Sequence, residues 1–307
     1  MEHIFSAVTK QSTMEKNKNK KDQYALVTGG TSGIGYEIAK LLAKDGYNLV
    51  LVARSNERLL EASDEFQQLG VDVHLIDKDL FDPAAAREVF QEVKAKNITV
   101  DVLINNAAQG QKGAFHDVPL ERHLELIQLN ITSLITLTRL FLGEMVSRNH
   151  GKILNLASVV SKTPAPEFSI YAASKAFVLS FSEAIAHELE ETGITITALL
   201  PGRTDTDFFF KADMTETKEF QDHQLADPAV VAKDGYDALM SGKSRVISGL
   251  QNKAMVGMMN TMPDASNAEK MHKNMQPTEK PADERRGRPT HAASEKERDA
   301  LDKEPQQ

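Results

Sequence analysis

The 307-residue chain contains no cysteine. It can therefore form neither a disulfide framework nor a thiolate metal site, which fits a reducing compartment. The chain also lacks an apolar run approaching the roughly 18 residues of a membrane span, and residues 1–10 lack the apolar core of a signal peptide. None of the nine histidines pairs with carboxylates at a metal-ligand spacing. We expect a cytoplasmic protein with no membrane span and no bound metal.

An excess of positive charge is also lacking. The chain has 36 lysines and arginines against 44 aspartates and glutamates, a net charge of -8, so the charge balance gives no support for binding nucleic acid. Its hydrophobic fraction of 41% and charged fraction of 26% are ordinary for a globular protein with a sizeable core.

Short apolar runs alternate with amphipathic segments along the middle of the chain. Because such alternation builds parallel strands joined by right-handed helical crossovers, it predicts an α/β fold. We expect one domain containing a Rossmann-type, doubly wound parallel sheet in three αβα layers. The predicted strands are residues 24–28, 48–53, 71–76, 100–104, 152–156, 194–200 and 244–248, and the predicted helices are 34–46, 57–69, 83–96, 121–149, 169–192, 227–241 and 251–262.

The two ends of the chain differ in composition from this middle part. Residues 1–22 are polar and rich in lysine, and they predict a disordered leader. Residues 263–307 carry nearly balanced charges and few large apolar side chains, and they predict a disordered charged tail. The folded domain is expected to occupy residues 23–262.

A glycine-rich turn follows the first predicted strand. Gly29, Gly33 and Gly35 come after the strand residue Thr28, and apolar residues at helical spacing begin at Ile34. Glycines let the backbone approach a pyrophosphate closely, and the N-terminus of the helix presents free N–H groups to it. A strand, a glycine turn and a helix in this order predict a dinucleotide phosphate site.

The second predicted strand ends at Ala53 and is followed by Arg54. In dinucleotide folds an acidic residue at this strand end binds the ribose 2′-hydroxyl of NAD. A guanidinium instead fits a 2′-phosphate, which a carboxylate would repel. Arg54 therefore favours NADP(H) over NAD(H), although the same residue could be a surface arginine in a loop.

Tyr171 and Lys175 lie four residues apart, one helical turn, on a predicted helix. A free tyrosine has a pKa of about 10, and a nearby ammonium is expected to lower it so that the side chain can exchange protons with a substrate oxygen. Ser158 stands at the carboxyl end of the fifth predicted strand, where ligands bind in open α/β sheets. Asn130 interrupts the apolar face of the 121–149 helix, and a buried asparagine must be hydrogen-bonded.

The segment 205–224 contains three successive phenylalanines, Phe208, Phe209 and Phe210, in otherwise polar surroundings. Two interpretations stay open. The aromatic rings could form a lid over an apolar substrate, or they could be core residues of a short helix.

Taken together, these motifs resemble the short-chain dehydrogenases/reductases, in their short single-domain branch, over about residues 23–250. The resemblance rests on TGGTSGIG at Thr28–Gly35, NNAA at Asn105–Ala108, Asn130, Ser158, YAASK at Tyr171–Lys175, and PGRTDT at Pro201–Thr206. The chain departs from the family pattern at Ala108, where a glycine is usual, and at Thr204, where a valine is usual.

The resemblance implies roles for individual residues. Tyr171 would be the general acid in reduction, and Lys175 would lower its pKa and bind the nicotinamide ribose. Ser158 would hydrogen-bond the substrate carbonyl, and Asn130 would hold a water that links Lys175 to solvent. The cofactor NADP(H) would contact Tyr171 and Lys175 together with Gly29, Thr31, Ser32, Gly33, Ile34, Gly35, Arg54, Asp79, Leu80, Asn106, Ala107, Ala108, Pro201, Gly202, Thr204 and Thr206.

The function expected from this resemblance is NADP(H)-dependent reduction of a ketone or aldehyde to an alcohol, or the reverse. The expected partner is a small-molecule substrate, and an apolar one stays open. Two alternatives stay open: an epimerase or dehydratase of the same fold, and a non-catalytic NADP(H)-binding regulatory protein. The resemblance also implies a homodimer or homotetramer.

Overall fold

In the computed structural model, which describes residues 22–278, seven strands form one parallel sheet with the order β3-β2-β1-β4-β5-β6-β7. Every neighbouring pair in this sheet is parallel. The strands are β1 (Tyr24–Thr28), β2 (Asn48–Ala53), β3 (Val73–Asp77), β4 (Val100–Asn105), β5 (Gly151–Leu156), β6 (Ile194–Leu200) and β7 (Arg245–Ile247). The order reverses between β1 and β4, which opens a crevice at the carboxyl ends of the strands.

The connections between strands are mostly helical. The helices are α1 (Gly33–Lys44), α2 (Asn56–Gln67), α3 (Ala85–Ala95), α4 (Leu120–Ile127), α5 (Ser133–Ser147), α6 (Ser169–Glu188), α7 (Phe208–Lys211), α8 (Lys218–Gln221), α9 (Pro228–Met240), α10 (Leu250–Met259) and α11 (Asp264–Met275). A π-helical turn, Gln128–Thr132, joins α4 to α5, and a 3-10 turn, Val159–Lys162, precedes α6.

The hydrophobic core lies on both faces of the sheet. Side chains alternate along a strand, so Val27 of β1 packs with α1, α2 and α9 on one face, whereas Leu26 packs with α3 and α5 on the other. Both residues are fully buried. The strands read as continuous apolar runs because both faces are covered. The predicted three-layer αβα fold is confirmed.

The predicted helix over 121–149 forms as the continuous helical run Leu120–Ser147, with one local irregularity that was not predicted. Between α4 and α5 the backbone widens into the π turn Gln128–Thr132, which contains the buried Asn130. Such turns accommodate a residue whose side chain is committed elsewhere, and they occur often at functional sites. The helical run Leu120–Ser147 is long and apolar enough to cross a membrane by length and composition, but helices that pack on a sheet pass the same test.

The prediction of a disordered tail over 263–307 is wrong for residues 264–275, which form α11. Met271 and Met275 lie one helical turn apart and are both buried, so the helix carries a narrow apolar stripe. Net composition hides this stripe because the other positions, apart from Ala265 and Ala268, are charged or polar. The rest of the predicted tail, from residue 279, and the predicted leader except Asp22 lie outside the described residues.

Candidate active site

One cavity of about 590 Å³ opens at the carboxyl ends of the strands, on both sides of the point where the strand order reverses. The predicted cofactor and catalytic residues border it, with two exceptions, Gly35 and Asn130. Residues separated by more than 100 positions therefore meet at one place. Among residues 22–278, no group of three or more histidine, aspartate or glutamate side chains could hold a metal ion there.

The glycine turn after β1 has a backbone that a ligand can approach closely. Gly29 and Gly33 adopt φ angles of +64° and +54°, a region that disfavours other residues. A Cβ atom on Gly35 would lie 2.4 Å from the carbonyl oxygen of Gly29, so no side chain fits there. Ser32 begins α1 without a side-chain cap hydrogen bond, which leaves the first N–H groups of the helix to an anion. This cradle fits a dinucleotide pyrophosphate.

Asn106 and Thr28 fix the shape of that turn. The amide of Asn106 donates to the carbonyl oxygens of Thr28 and Gly29, both at 3.0 Å. The Thr28 hydroxyl oxygen accepts from the backbone N–H groups of Asn106 and Ala107, also at 3.0 Å. Asn106 borders the cavity, but its amide hydrogens are directed to the turn. Its expected contact with the adenosine ribose stays a prediction.

The loop after β6 closes against the same turn. A Cβ atom on Gly33 would lie 2.7 Å from the methyl carbon of Thr206. The hydroxyl of Thr204 is buried and donates to the carbonyl oxygen of Gly202 at 3.1 Å, so it is occupied within the loop. Thr206 is thus the better placed of the two threonines to contact a bound cofactor.

Positive side chains gather where the 2′-phosphate of NADP(H) was expected. The guanidinium of Arg54 lies 5.1 Å from the ring centre of Phe81 and 3.8 Å from the carboxylate of Asp79. Arg58 and Lys78 also border the cavity, and we had not predicted either. Arg58 follows Arg54 by four residues in the first turn of α2, a spacing that the sequence itself offers as a signal.

Tyr171, Ser158 and Lys175 all border the cavity. The Ser158 hydroxyl is near enough to that of Tyr171 to favour the ionised form of the tyrosine. Lys175 is 2% exposed, and its ammonium lies 5.7 Å from the Tyr171 ring centre and donates to the carbonyl oxygen of Leu156 at 2.6 Å. Ser158 follows the end of β5 by two residues. Shortly after it, the Ser161 hydroxyl donates to the carbonyl oxygen of Lys175 at 2.9 Å, so the segment after β5 is tied to α6.

Burial dominates the protonation of this pair. It raises the pKa of the Tyr171 hydroxyl, against the opposing effect of the Ser158 hydrogen bond, and it lowers the pKa of Lys175 to about 7. The pKa of Tyr171 therefore moves opposite to the lowering that we expected from Lys175. The cost of removing the Tyr171 phenolate from water is larger than the stabilisation that the Lys175 cation could give it. Burial also makes the charged form of Lys175 costly. Tyr171 is protonated at neutral pH, which is the form that donates a proton.

The side chain of Asn130 is directed at the protein. Its amide nitrogen donates to the carbonyl oxygen of Gln109 at 2.8 Å and to the Ser174 hydroxyl at 3.1 Å, and its oxygen accepts from the Gln109 N–H at 3.0 Å. Both amide hydrogens are thereby used. Asn130 positions the loop after β4 against α6, and the water that it was expected to hold stays a prediction.

The three successive phenylalanines fit both interpretations. Phe208 lies with its ring centre 5.0 Å from that of Tyr171 and borders the cavity. Phe209 also borders the cavity, but it is only 6% exposed and packs on Phe220, whereas Phe210 is 60% exposed. Phe168, at 4.6 Å from the Tyr171 ring, was not among the predicted residues. The substrate side of Tyr171 is thus lined by aromatic rings.

Comparison with known proteins agrees with this fold and site. The chain matches the short chain dehydrogenase family over residues 23–217. It is 39% identical over 184 residues to a ketoacyl reductase assigned to the granaticin polyketide synthase of Streptomyces violaceoruber, a match that covers 59% of this chain and 68% of that protein. It is 36% identical over 186 residues to the very-long-chain 3-oxoacyl-CoA reductase of Bos taurus, covering 58% of each chain.

Solved structures give the same result. A short-chain dehydrogenase from Sphingobium yanoikuyae in complex with NADPH has a TM-score of 0.69 and 30% identity, covering 81% of this chain and 99% of that one. The bulky-bulky ketone specific alcohol dehydrogenase of Comamonas testosteroni has a TM-score of 0.65 and 28% identity, covering 80% and 97%. The chain is an oxidoreductase-type α/β protein and belongs to the short-chain dehydrogenase family.

The buried Lys175 should lower the stability of the free protein. Because its pKa is about 7 in the folded state and 10.5 when exposed, the unfolded chain binds the extra proton between these values, and stability falls as pH decreases through that window. We expect Lys175→Met to raise the melting temperature by roughly 5 °C at about pH 6. The gain should shrink towards about pH 10, because the lysine is already neutral in the folded state and approaches its own pKa of 10.5 in the unfolded chain.

Thermal unfolding followed by circular dichroism, without cofactor, measures this difference. Lys96→Met, at an exposed position after α3, is the matched control and should melt as the wild type does. A Lys175→Met difference that does not depend on pH would contradict the role given to burial.

Proposed function

We propose that this protein uses NADP(H) to reduce ketones to alcohols and, in the reverse direction, to oxidise the corresponding alcohols. The observation that carries the proposal is the meeting of Tyr171, Ser158 and Lys175 with the glycine turn of α1 around one cavity. Each group alone has an ordinary structural explanation. Together they place a proton donor, a hydrogen-bond donor and a phosphate cradle within reach of one bound cofactor and substrate.

In this proposal NADPH, when bound, supplies a hydride to the carbonyl carbon. Tyr171 donates its proton to the carbonyl oxygen, so ketone, hydride and proton together give the alcohol. Ser158 hydrogen-bonds the same oxygen and stabilises the negative charge that develops on it. Lys175 stabilises the tyrosinate that remains until a proton returns from solvent. The fixed α6 and β5 ends supply orientation, since catalysis here is largely positioning.

The preference for NADP(H) is supported by charge. Arg54, Arg58 and Lys78 border the cavity at the carboxyl ends of β2 and β3. Cations suit a phosphate better than a ribose hydroxyl. Two of them are also ion-paired within the protein, Arg58 with Asp207 at 3.5 Å and Lys78 with Glu88 at 2.6 Å. Asp79 lies 3.8 Å from Arg54 but is half exposed, so it can turn away from a bound anion. The Sphingobium yanoikuyae relative holds NADPH.

The side chains that line the cavity around Tyr171 favour an apolar ketone as the substrate. Phe168 and Phe208 flank Tyr171, and Met214 borders the same cavity. The names of the relatives point in the same direction, because they describe ketoacyl, 3-oxoacyl and bulky ketone substrates.

Tyr171→Phe removes the proton donor and keeps the ring. We expect kcat for ketone reduction to fall by at least about 100-fold, because general acid catalysis typically contributes that much. NADPH consumption measured by absorbance reports the rate, and fluorescence titration of NADPH reports binding. Phe210→Leu, at an exposed ring, serves as the control.

The outcomes separate the competing functions. Retained turnover in Tyr171→Phe would contradict the proton-donor assignment. Tight NADPH binding by the wild type without turnover of any carbonyl substrate would favour a non-catalytic NADP(H)-binding protein.

Arg54→Asp tests the cofactor preference. Replacing the guanidinium with a carboxylate should raise the Kd for NADPH by at least about tenfold and leave the Kd for NADH within about twofold, because only NADPH carries the 2′-phosphate. Isothermal titration with both cofactors measures the ratio. Arg87→Asp, on the exposed side of α3, controls for net charge. Equal losses for the two cofactors would refute the role of Arg54.

A further inference from the structure

The helix α11 lies beyond the part of the chain that matches the family, which ends at residue 217. Met271 and Met275 on this helix nevertheless border the cavity. Met255 and Met259 of α10 border it as well. The far wall of the cavity, contributed by two C-terminal helices, therefore holds four methionines, and Asn267, Lys270 and Asn274 of α11 border the cavity beside them.

This wall is continuous with the aromatic rings around Tyr171. Met271 and Met275, 4% and 1% exposed, pack in one cluster with Phe209, Phe220 and Met214. Phe168 belongs to the same cluster, and Tyr171 and Phe208 pack against it. Apolar side chains thus connect the proton donor to α11, and the charged Lys211, Glu219 and Lys270 border the cavity beside them.

The ion pair between Arg203 and Glu219 provides one attachment point for α11. Arg203 contacts both carboxylate oxygens of Glu219, through Nε at 2.7 Å and a terminal nitrogen at 2.8 Å. The amide of Asn274 donates to Glu219 at 2.9 Å. Arg203 follows Gly202 in the loop after β6, so one buried carboxylate joins that loop, α8 and α11.

The backbone adds a second attachment. Thr217 and Pro277 form an antiparallel bridge, in which the N–H of Lys218 donates to the carbonyl oxygen of Gln276 at 3.0 Å and the N–H of Thr278 donates to that of Glu216 at 3.0 Å. The methionine wall is therefore a fixed part of the site, although the methionine side chains themselves remain adaptable.

We infer that the substrate is a ketone with a long, flexible, unbranched apolar chain, and that Met271 determines the chain length that the site accepts. The inference rests on the proposed ketone reduction. The carbonyl lies at Tyr171 and Ser158, and the chain passes Phe168 and Phe208 towards Met271. Methionine has three rotatable bonds and a polarizable sulfur, so a wall of methionines adapts to a flexible chain.

The test compares chain-length selectivity in three variants. Met271→Phe fills the far end of the cavity, Met271→Ala enlarges it, and Met258→Phe places the same aromatic ring at a position of α10 that is 58% exposed. The probes are butanone, octanone and dodecanone with NADPH, and the readout is the ratio of kcat/KM between ketones. Thermal melting and NADPH titration check that each variant folds.

For the wild type we expect kcat/KM to rise about three- to fourfold for each added methylene until the chain fills the cavity. Met271→Phe should lower the dodecanone to butanone ratio by at least about tenfold, because its ring takes the place of several methylenes. Met271→Ala should move the ratio the opposite way, and Met258→Phe should leave it within about twofold of the wild type. If Met271→Phe does not fold, the Met271→Ala ratio decides.

Failure of the inference and failure of the proposed function would give different results in this assay. Turnover of all three ketones with a ratio that neither Met271 variant changes would overturn the inference alone. A wild-type preference for a rigid steroid ketone over dodecanone would contradict the inference that the substrate carries a flexible chain. The absence of turnover with any ketone, with NADPH bound, would overturn the ketone-reductase function and the inference with it.

Discussion

The hydrogen bond from the Lys175 ammonium to the carbonyl oxygen of Leu156, at 2.6 Å, is the contact on which the site depends. It ties α6 to the end of β5 and thereby places Tyr171 beside Ser158. The protein keeps a potential charge in a buried position, where it costs stability, and the folded core around the sheet has to outweigh that cost. A residue placed for stability alone would be apolar here, so the buried lysine points to a function.

The glycine turn on the other side of the cavity is held by polar side chains that hydrogen-bond within the protein. Thr28 and Asn106 form their hydrogen bonds with the turn itself, and Asn130 forms its own with Gln109 and Ser174. Buried polar groups of this kind must be paired, and pairing them fixes a single backbone geometry. Pre-organisation of the loops therefore comes from asparagine and threonine side chains that themselves need not touch a substrate.

Much of this could be predicted from the sequence, and the remainder has identifiable physical reasons. The doubly wound parallel sheet and the meeting of Ser158 with Tyr171 follow from alternation and from the rule that ligands bind at strand ends. The α11 helix could not be predicted from composition, because two methionines one turn apart carry its packing among charged neighbours. Which of Phe208, Phe209 and Phe210 reach the cavity depends on the rotation of a four-residue helix, which no sequence period determines. The direction of the Tyr171 pKa depends on burial, a property of the assembled site.

Transfer of an isotope from cofactor to product is the most direct measurement of the central claim, which is that this cavity adds a hydride and a proton to a ketone. NADPH that carries deuterium at both positions of the reactive nicotinamide carbon would be incubated with octanone and the wild-type protein, and the product analysed by mass spectrometry. We predict an alcohol with one deuterium on the carbon that bears the hydroxyl. An alcohol without deuterium at that carbon would contradict hydride transfer in this site.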